Sequence, residues 1–435
     1  MQRRELLLLS RDRTLLVQTF LLPAMVVGLQ ILVASGNQVL AGVFEPTSTL
    51  AAVAFYLAAL TIMQPAFRTL GAEGAGLWIL YSVPHSLESI LLQKAKLWAI
   101  VALVYPVVIF AIAFTAVREI PVQFIASAAV VLLGVPIFSM IAVPLGVFAC
   151  DPLTQEVQRR VRLTYLYLYL MLGSFYAYAI YVNNIWQRIA LMILTALVAM
   201  ALWQKARDQF DYLLDPSASP PSRVSVSDGL IAALAFFVLQ ALMVVLQTIA
   251  GRALSGQVIW IAFCVAGATT YGAIRFIFWR AHTAGIPVIV GNDVPRALWW
   301  GLAGGIVASI CGIAYLEIVY SMGLFLAPGA NRAVNSGLPA WLAALAIAAA
   351  PVFEEFIFRG LIFGGLRRSL SPPIAAVASA AFFAIVHPPA AVIPVFVMGV
   401  CAALIYERTR VLVSLMLVHA LYNASVFGFQ WNAMR

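Results

Sequence analysis

The sequence predicts an all-α, polytopic helical membrane protein with about thirteen transmembrane helices in two domains. Three observations carry this. Of 435 residues, 63% are hydrophobic and only 10% are charged, against about 25% charged in soluble domains. Apolar runs of about 20 residues, the length that crosses a bilayer as a helix, recur along the chain. No polar stretch is long enough to build a sizeable soluble domain.

In chain order, the N-terminal "MQRRELLLLSRDRTLL" is an amphipathic lead-in whose charges at Arg11, Asp12 and Arg13 interrupt any signal-peptide core. Six spans are expected near 14–36, 49–67, 97–117, 122–149, 161–182 and 184–204. Residues 208–228 read as an extended, mobile linker, because their core "DPSASPPS" is polar and rich in Pro and Ser. Seven further spans are expected near 229–249, 257–278, 297–321, 340–366, 373–389, 391–406 and 411–430. The domains are therefore drawn at 1–207 and 229–435, with the linker between them.

The formal net charge is +9. The Lys and Arg residues cluster at the ends of apolar runs, where the positive-inside rule puts them, and this argues against a nucleic-acid partner. Arg3, Arg4, Arg11 and Arg13 precede the first span, and 37–48 has no Lys or Arg. Arg68, Lys94 and Lys96 follow the second span, and Lys205 and Arg207 the sixth. This alternation predicts a multi-pass protein of the inner or plasma membrane with a cytoplasmic N-terminus and linker. The four cysteines have neither metal nor redox spacing and are expected to be small buried apolar residues.

One stretch breaks the membrane pattern. "PVFEEFIFRG" places Glu354, Glu355 and Arg359 within a span, where each charge costs roughly 2.5–3.5 kcal/mol on insertion scales. Glu355 and Arg359 are four apart and share a helix face, so an ion pair is expected. Glu354 has no partner on its own helix, which marks it as a functional candidate. "AFFAIVHPPA" adds His387 before a Pro-Pro that should end or kink its helix. "LMLVHALYNASV" adds His419 and Asn423 on one face. Counting about 1.5 Å per residue from the flanking charges brings these groups to similar depth. A carboxylate with an imidazole can hold and deprotonate a water, and an imidazole with an amide can donate to an oxyanion. Glu354, His387 and His419 could instead ligate zinc and leave a position for water. His85, His282 and Glu317 lie at helix ends or loops and are assigned no role.

These motifs, E-E-x-x-x-R at Glu354, Glu355 and Arg359, F-x-x-x-H at Phe383 and His387, and H-x-x-x-N at His419 and Asn423, resemble in residue and order those of the CPBP intramembrane proteases, the family of the CAAX prenyl endopeptidase. The resemblance covers roughly residues 225–430. It implies a helical membrane endopeptidase in which Glu354 activates water, His387 helps hold it, and His419 and Asn423 stabilise the oxyanion. Glu355, Arg359 and Phe383 are supporting residues. No cofactor is required on this reading, and a divalent metal such as zinc stays open. The implied substrate is a peptide or protein, membrane-associated or prenylated.

The first half has its own resemblance. Arg4, Glu5 and Asp12 before a span containing Pro23, together with Glu73, Gly74, Trp78, Pro84, Glu88 and Lys94 in "EGAGLWILYSVPHSLESILLQKAKLW", are similar to the entry and coupling segment of export-type ABC permeases. No G-x-x-x-x-G-K-[ST] occurs, so the resemblance implies a separate ABC ATPase subunit on the cytoplasmic side. Two further readings stay open on the sequence: an exporter subunit whose protease domain is a non-catalytic scaffold, and an immunity or regulatory module that binds peptides.

Overall fold

The computed structural model describes residues 47–71, 76–82, 84–116, 121–150, 161–215, 218–251, 255–323 and 338–433, with scattered residues between 7 and 28. Among them there are helices and isolated bridges but no strands. The chain forms two compact units, Met1–Pro220 and Pro221–Arg435.

The first unit contains α1 (Thr47–Phe67), α2 (Leu87–Ala116), α3 (Val122–Ala149), α4 (Leu163–Tyr181) and α5 (Ile185–Gln209). Its centre is aromatic. Phe55 on α1 meets Phe138 on α3 at 5.0 Å and Tyr176 on α4 at 5.1 Å between ring centroids. The buried tyrosines satisfy their hydroxyls on backbone, Tyr176 on Val130 at 2.7 Å and Tyr169 on Ala59 at 2.8 Å, as a water-free interior requires.

The second unit contains α6 (Val226–Ile249), α7 (Gly256–Arg280), α8 (Val294–Ser321), a compound helix α9 over 338–366, α10 (Pro372–Ile385), α11 (Val392–Thr409) and α12 (Leu412–Ala433). α8 and α12 lie along one another. Small residues allow this close approach. A Cβ on Gly301 would sit 2.6 Å from the Ser414 carbonyl oxygen, and one on Gly304 would sit 2.0 Å from Ile405 Cδ1 on α11.

Three details qualify the expectations. Eleven helices among the described residues are long and apolar enough to cross a membrane, in keeping with an all-α polytopic protein. About half of the first expected span, 14–36, lies outside the described residues. The expected span at 373–389 is instead the 14-residue α10, about 21 Å long against a hydrocarbon core of about 30 Å. It packs against α11 as a hairpin, because Pro388 and Pro389 cannot continue the helix. Second, the linker is pinned before it ends. Val224 N–H donates to the Ala284 carbonyl at 3.1 Å, Ala284 N–H donates to the Ser222 carbonyl at 2.9 Å, and Ser225 with Asp228 forms a capping box that starts α6. Third, none of the four free cysteines is fully buried, and Cys311 is exposed.

Candidate active site

α9 is not a uniform α-helix. It runs as α over Leu338–Ala344, π over Leu345–Ala349, α over Ala350–Glu355, π over Phe356–Phe363 and α over Gly364–Leu366. Pro351 gives a physical reason for the first π turn. In i→i+5 winding the Ala346 carbonyl would take its hydrogen bond from residue 351, and proline has no N–H. Asn423 on α12 supplies the missing donor, with its Nδ2 2.6 Å from the Ala346 oxygen. The second π segment is buried at every residue, as expected of a helix that is apolar nearly all round.

Glu354 and Glu355 end the central α segment, and their neighbouring positions have opposite surroundings. Glu355 and Arg359 have fully buried side chains and pair at 3.1 Å. His419 Nδ1 lies 2.7 Å from the same Glu355 oxygen, Oε1. An ionised carboxylate only accepts, so Nδ1 carries the proton and donates. This turns Nε2 of His419 toward Glu354 Oε2, at 3.9 Å, beyond hydrogen-bond range. The Glu354 side chain is 15% exposed, so it is reachable where Glu355 is not.

Phe383, near the end of α10, is the platform of the cluster. The Arg359 guanidinium lies 4.2 Å over its ring, the His387 ring is 4.8 Å away and the His419 ring 5.7 Å. A desolvated cation–π contact is worth about 2 kcal/mol, and it helps hold Arg359, whose Nε and second terminal nitrogen have no hydrogen-bond partner. His387 sits in the turn after α10, with Nδ1 2.9 Å from the Phe383 carbonyl oxygen. Its ring is thereby oriented, and it lies within electrostatic range of His419 and Arg359.

The structure thus gathers Glu354, Glu355, Arg359, Phe383, His387, His419 and Asn423 from α9, α10 with the turn after it, and α12. Two details differ from the sequence reading. His419 is bonded to Glu355, which the sequence paired with Arg359 alone. One amide N–H of Asn423 serves the Ala346 carbonyl. Two participants were missed, Ala346 and Gly399. A Cβ at Gly399 would lie 2.8 Å from the Arg359 terminal nitrogen and 3.0 Å from the Ala380 Cβ, so glycine on α11 leaves the guanidinium its present position. The signal for the first was Pro351 inside an apolar helix, and for the second a glycine in mid-span. As placed, no three His, Cys, Asp or Glu side chains among the described residues could hold an ion together, although the Nδ1 bonds of His419 to Glu355 and of His387 to a carbonyl leave Nε2 as the ligating nitrogen of each ring.

The fold is that of a multi-pass helical membrane protein. Within the second unit, residues 336–425 match the family described as Type II CAAX prenyl endopeptidase Rce1-like. That segment spans all seven residues of the cluster. No curated protein and no solved structure matches the chain.

Proposed function

We propose that the chain is an intramembrane endopeptidase of the CAAX-protease type, fused to a membrane domain of an ABC exporter. The observation that carries the hydrolytic reading is His419 held between two carboxylates, bonded to the buried Glu355 at 2.7 Å and facing the accessible Glu354 at 3.9 Å. The family match over the same residues supports it.

The mechanism follows from these roles. Glu354 takes a proton from a water held with the help of His387, and the oxygen attacks the scissile carbonyl carbon. The C=O electron pair moves to oxygen, where His419 Nε2 and the second N–H of Asn423 donate. Donation from Nε2 needs a doubly protonated ring, whose charge Glu355 balances across the Nδ1 bond. Collapse of the intermediate breaks the C–N bond, and the amine leaves with the proton held by Glu354. Arg359 and Phe383 hold Glu355, and so His419, in place.

In the first unit, the segment 73–96 is proposed to dock a separate ABC ATPase. Glu73 and Gly74 lie outside the described residues. Trp78 is exposed, while the base of the loop is fixed by the Arg207–Glu88 ion pair and by Tyr81 donating to the Phe210 carbonyl. The proposed setting is the inner or plasma membrane with a cytoplasmic N-terminus, and the joint role is to process a peptide and export it.

The decisive experiment expresses wild type and Glu354→Gln in parallel and compares membrane peptides by mass spectrometry. New peptide termini in wild type and intact, co-purifying substrate in the variant are expected. Equal processing in both would turn the reading toward a non-catalytic scaffold. Affinity isolation from native membranes should recover an ATPase. Its absence would make the first unit an anchor.

A further inference from the structure

A second cluster of charge lies at one end of α8, α11 and α12. The segment before α8 and the α11–α12 junction line a cavity of about 480 Å³ whose walls include Asn292, Arg296, Arg408 and Arg410, within the range of about 300–1,000 Å³ typical of ligand sites. Its charge is unbalanced. Glu407 is claimed twice, by Arg367 through two bonds of 2.9 Å and by Arg410 at 2.7 Å. Asp293 caps α8 by accepting from the Arg296 N–H at 3.2 Å. The cavity walls therefore carry three arginines, Arg296, Arg408 and Arg410, against one carboxylate, Asp293, with Glu407 shared between Arg410 and Arg367 outside them. Among the described residues neither Arg296 nor Arg408 has a carboxylate partner. Arg408 is instead held over the Trp300 ring at 4.8 Å. Arg410 adopts a left-handed backbone, φ 57°, at the helix end where glycine is ordinarily favoured. That conformation is strained for an arginine and is kept where the cation is useful.

The surroundings select among anions. Trp299, one turn into α8, is largely exposed, as are Val288 and Val290 beside the cavity. Tryptophan at the end of a spanning helix marks the membrane–water interface. A soluble anion would gain nothing from this apolar border, whereas an amphiphile would use both halves. We propose that this cavity binds the phosphate headgroup of an anionic phospholipid, with its acyl chains along the exposed apolar border. The arginines face the phosphate oxygens, and guanidinium–phosphate pairing supplies both charge and direction.

The test uses the full chain in detergent. Native mass spectrometry compares retention of phosphatidylglycerol with that of phosphatidylcholine, for wild type and for Arg296→Gln, Arg408→Gln and the pair. Wild type should retain phosphatidylglycerol preferentially. Each single change should lower its affinity about fivefold, and both together about 25-fold. Inorganic phosphate at the same concentration should not displace the lipid. Equal retention of the two lipids, or an unchanged preference in the double variant, would overturn the proposal. Displacement by inorganic phosphate would show a soluble-anion site and overturn it too. Thermal denaturation in phosphatidylcholine checks folding. If the double variant does not fold, the exposed Arg296→Gln alone decides.

Discussion

The two adjacent glutamates should fail differently when changed. Replacing Glu355 by Gln removes the charge that faces Arg359 at 3.1 Å and His419 at 2.7 Å, in a place where the Glu355 and Arg359 side chains are fully buried. Arg359 already has two nitrogens without partners, so its charge would be left uncompensated. Breaking a buried pair from one side costs about 3–5 kcal/mol. Glu354→Gln breaks no direct hydrogen bond, since its neighbour His419 Nε2 stands 3.9 Å away. Its stability change should be clearly smaller than that of Glu355→Gln, because no direct hydrogen bond is lost and no buried charge is stranded. Its activity should fall by about 10²–10⁴, the usual contribution of a general base. The assay is thermal denaturation of purified full-length variants alongside cleavage of the trapped substrate. Arg359→Met in the Glu355→Gln background should recover part of the lost stability, because the orphaned charge goes with it. A Glu354→Gln loss as large as that of Glu355→Gln would refute this division and make all three charges one structural network. So would a double variant no more stable than Glu355→Gln alone.

Three further expectations follow from the packing. Asn423→Ala should cost about 1–3 kcal/mol by leaving the Ala346 carbonyl unpaired, and Pro351→Ala should cancel much of that loss by restoring an N–H, a coupling that a double-mutant cycle in thermal denaturation would measure. Gly399→Ala should push against Arg359 and lower the denaturation midpoint, with a cost of about 1–3 kcal/mol for overpacking. Gly304→Leu should do the same by separating α8 from α11, with membrane yield as the readout, while Gly272→Leu, whose added Cβ would meet nothing within 4 Å, should be tolerated.

Much of the fold was legible because membrane insertion is a local property. A run of about 20 apolar residues has one stable outcome in hydrocarbon, a helix that satisfies its own backbone, and the expected span at 122–149 coincides with α3. The polar residues of the candidate site could be singled out for the same reason. A charge or imidazole in such a run has no cheap bland explanation, and the order of three motifs joined Glu354, His387 and His419 in one expectation. The Glu355–Arg359 pair needed only helical spacing, and i→i+5 winding kept it one turn apart.

What the sequence left open depends on helices meeting. Length alone did not show that residues 373–389 turn back into a hairpin, because a proline pair reads equally as a kink within a span. The partner of His419 lies 64 residues away along the chain and that of the Asn423 amide 77, so no periodicity could assign them. Both contacts exist because α12 crosses α9 where Pro351 has withdrawn a backbone donor and where a buried carboxylate has an oxygen to share. The amino-acid sequence by itself determined which side chains would be stranded in hydrocarbon and would need partners. Only the packing decided which partners they found, since a buried polar group is satisfied by whatever donor or acceptor the neighbouring helix brings within about 3 Å.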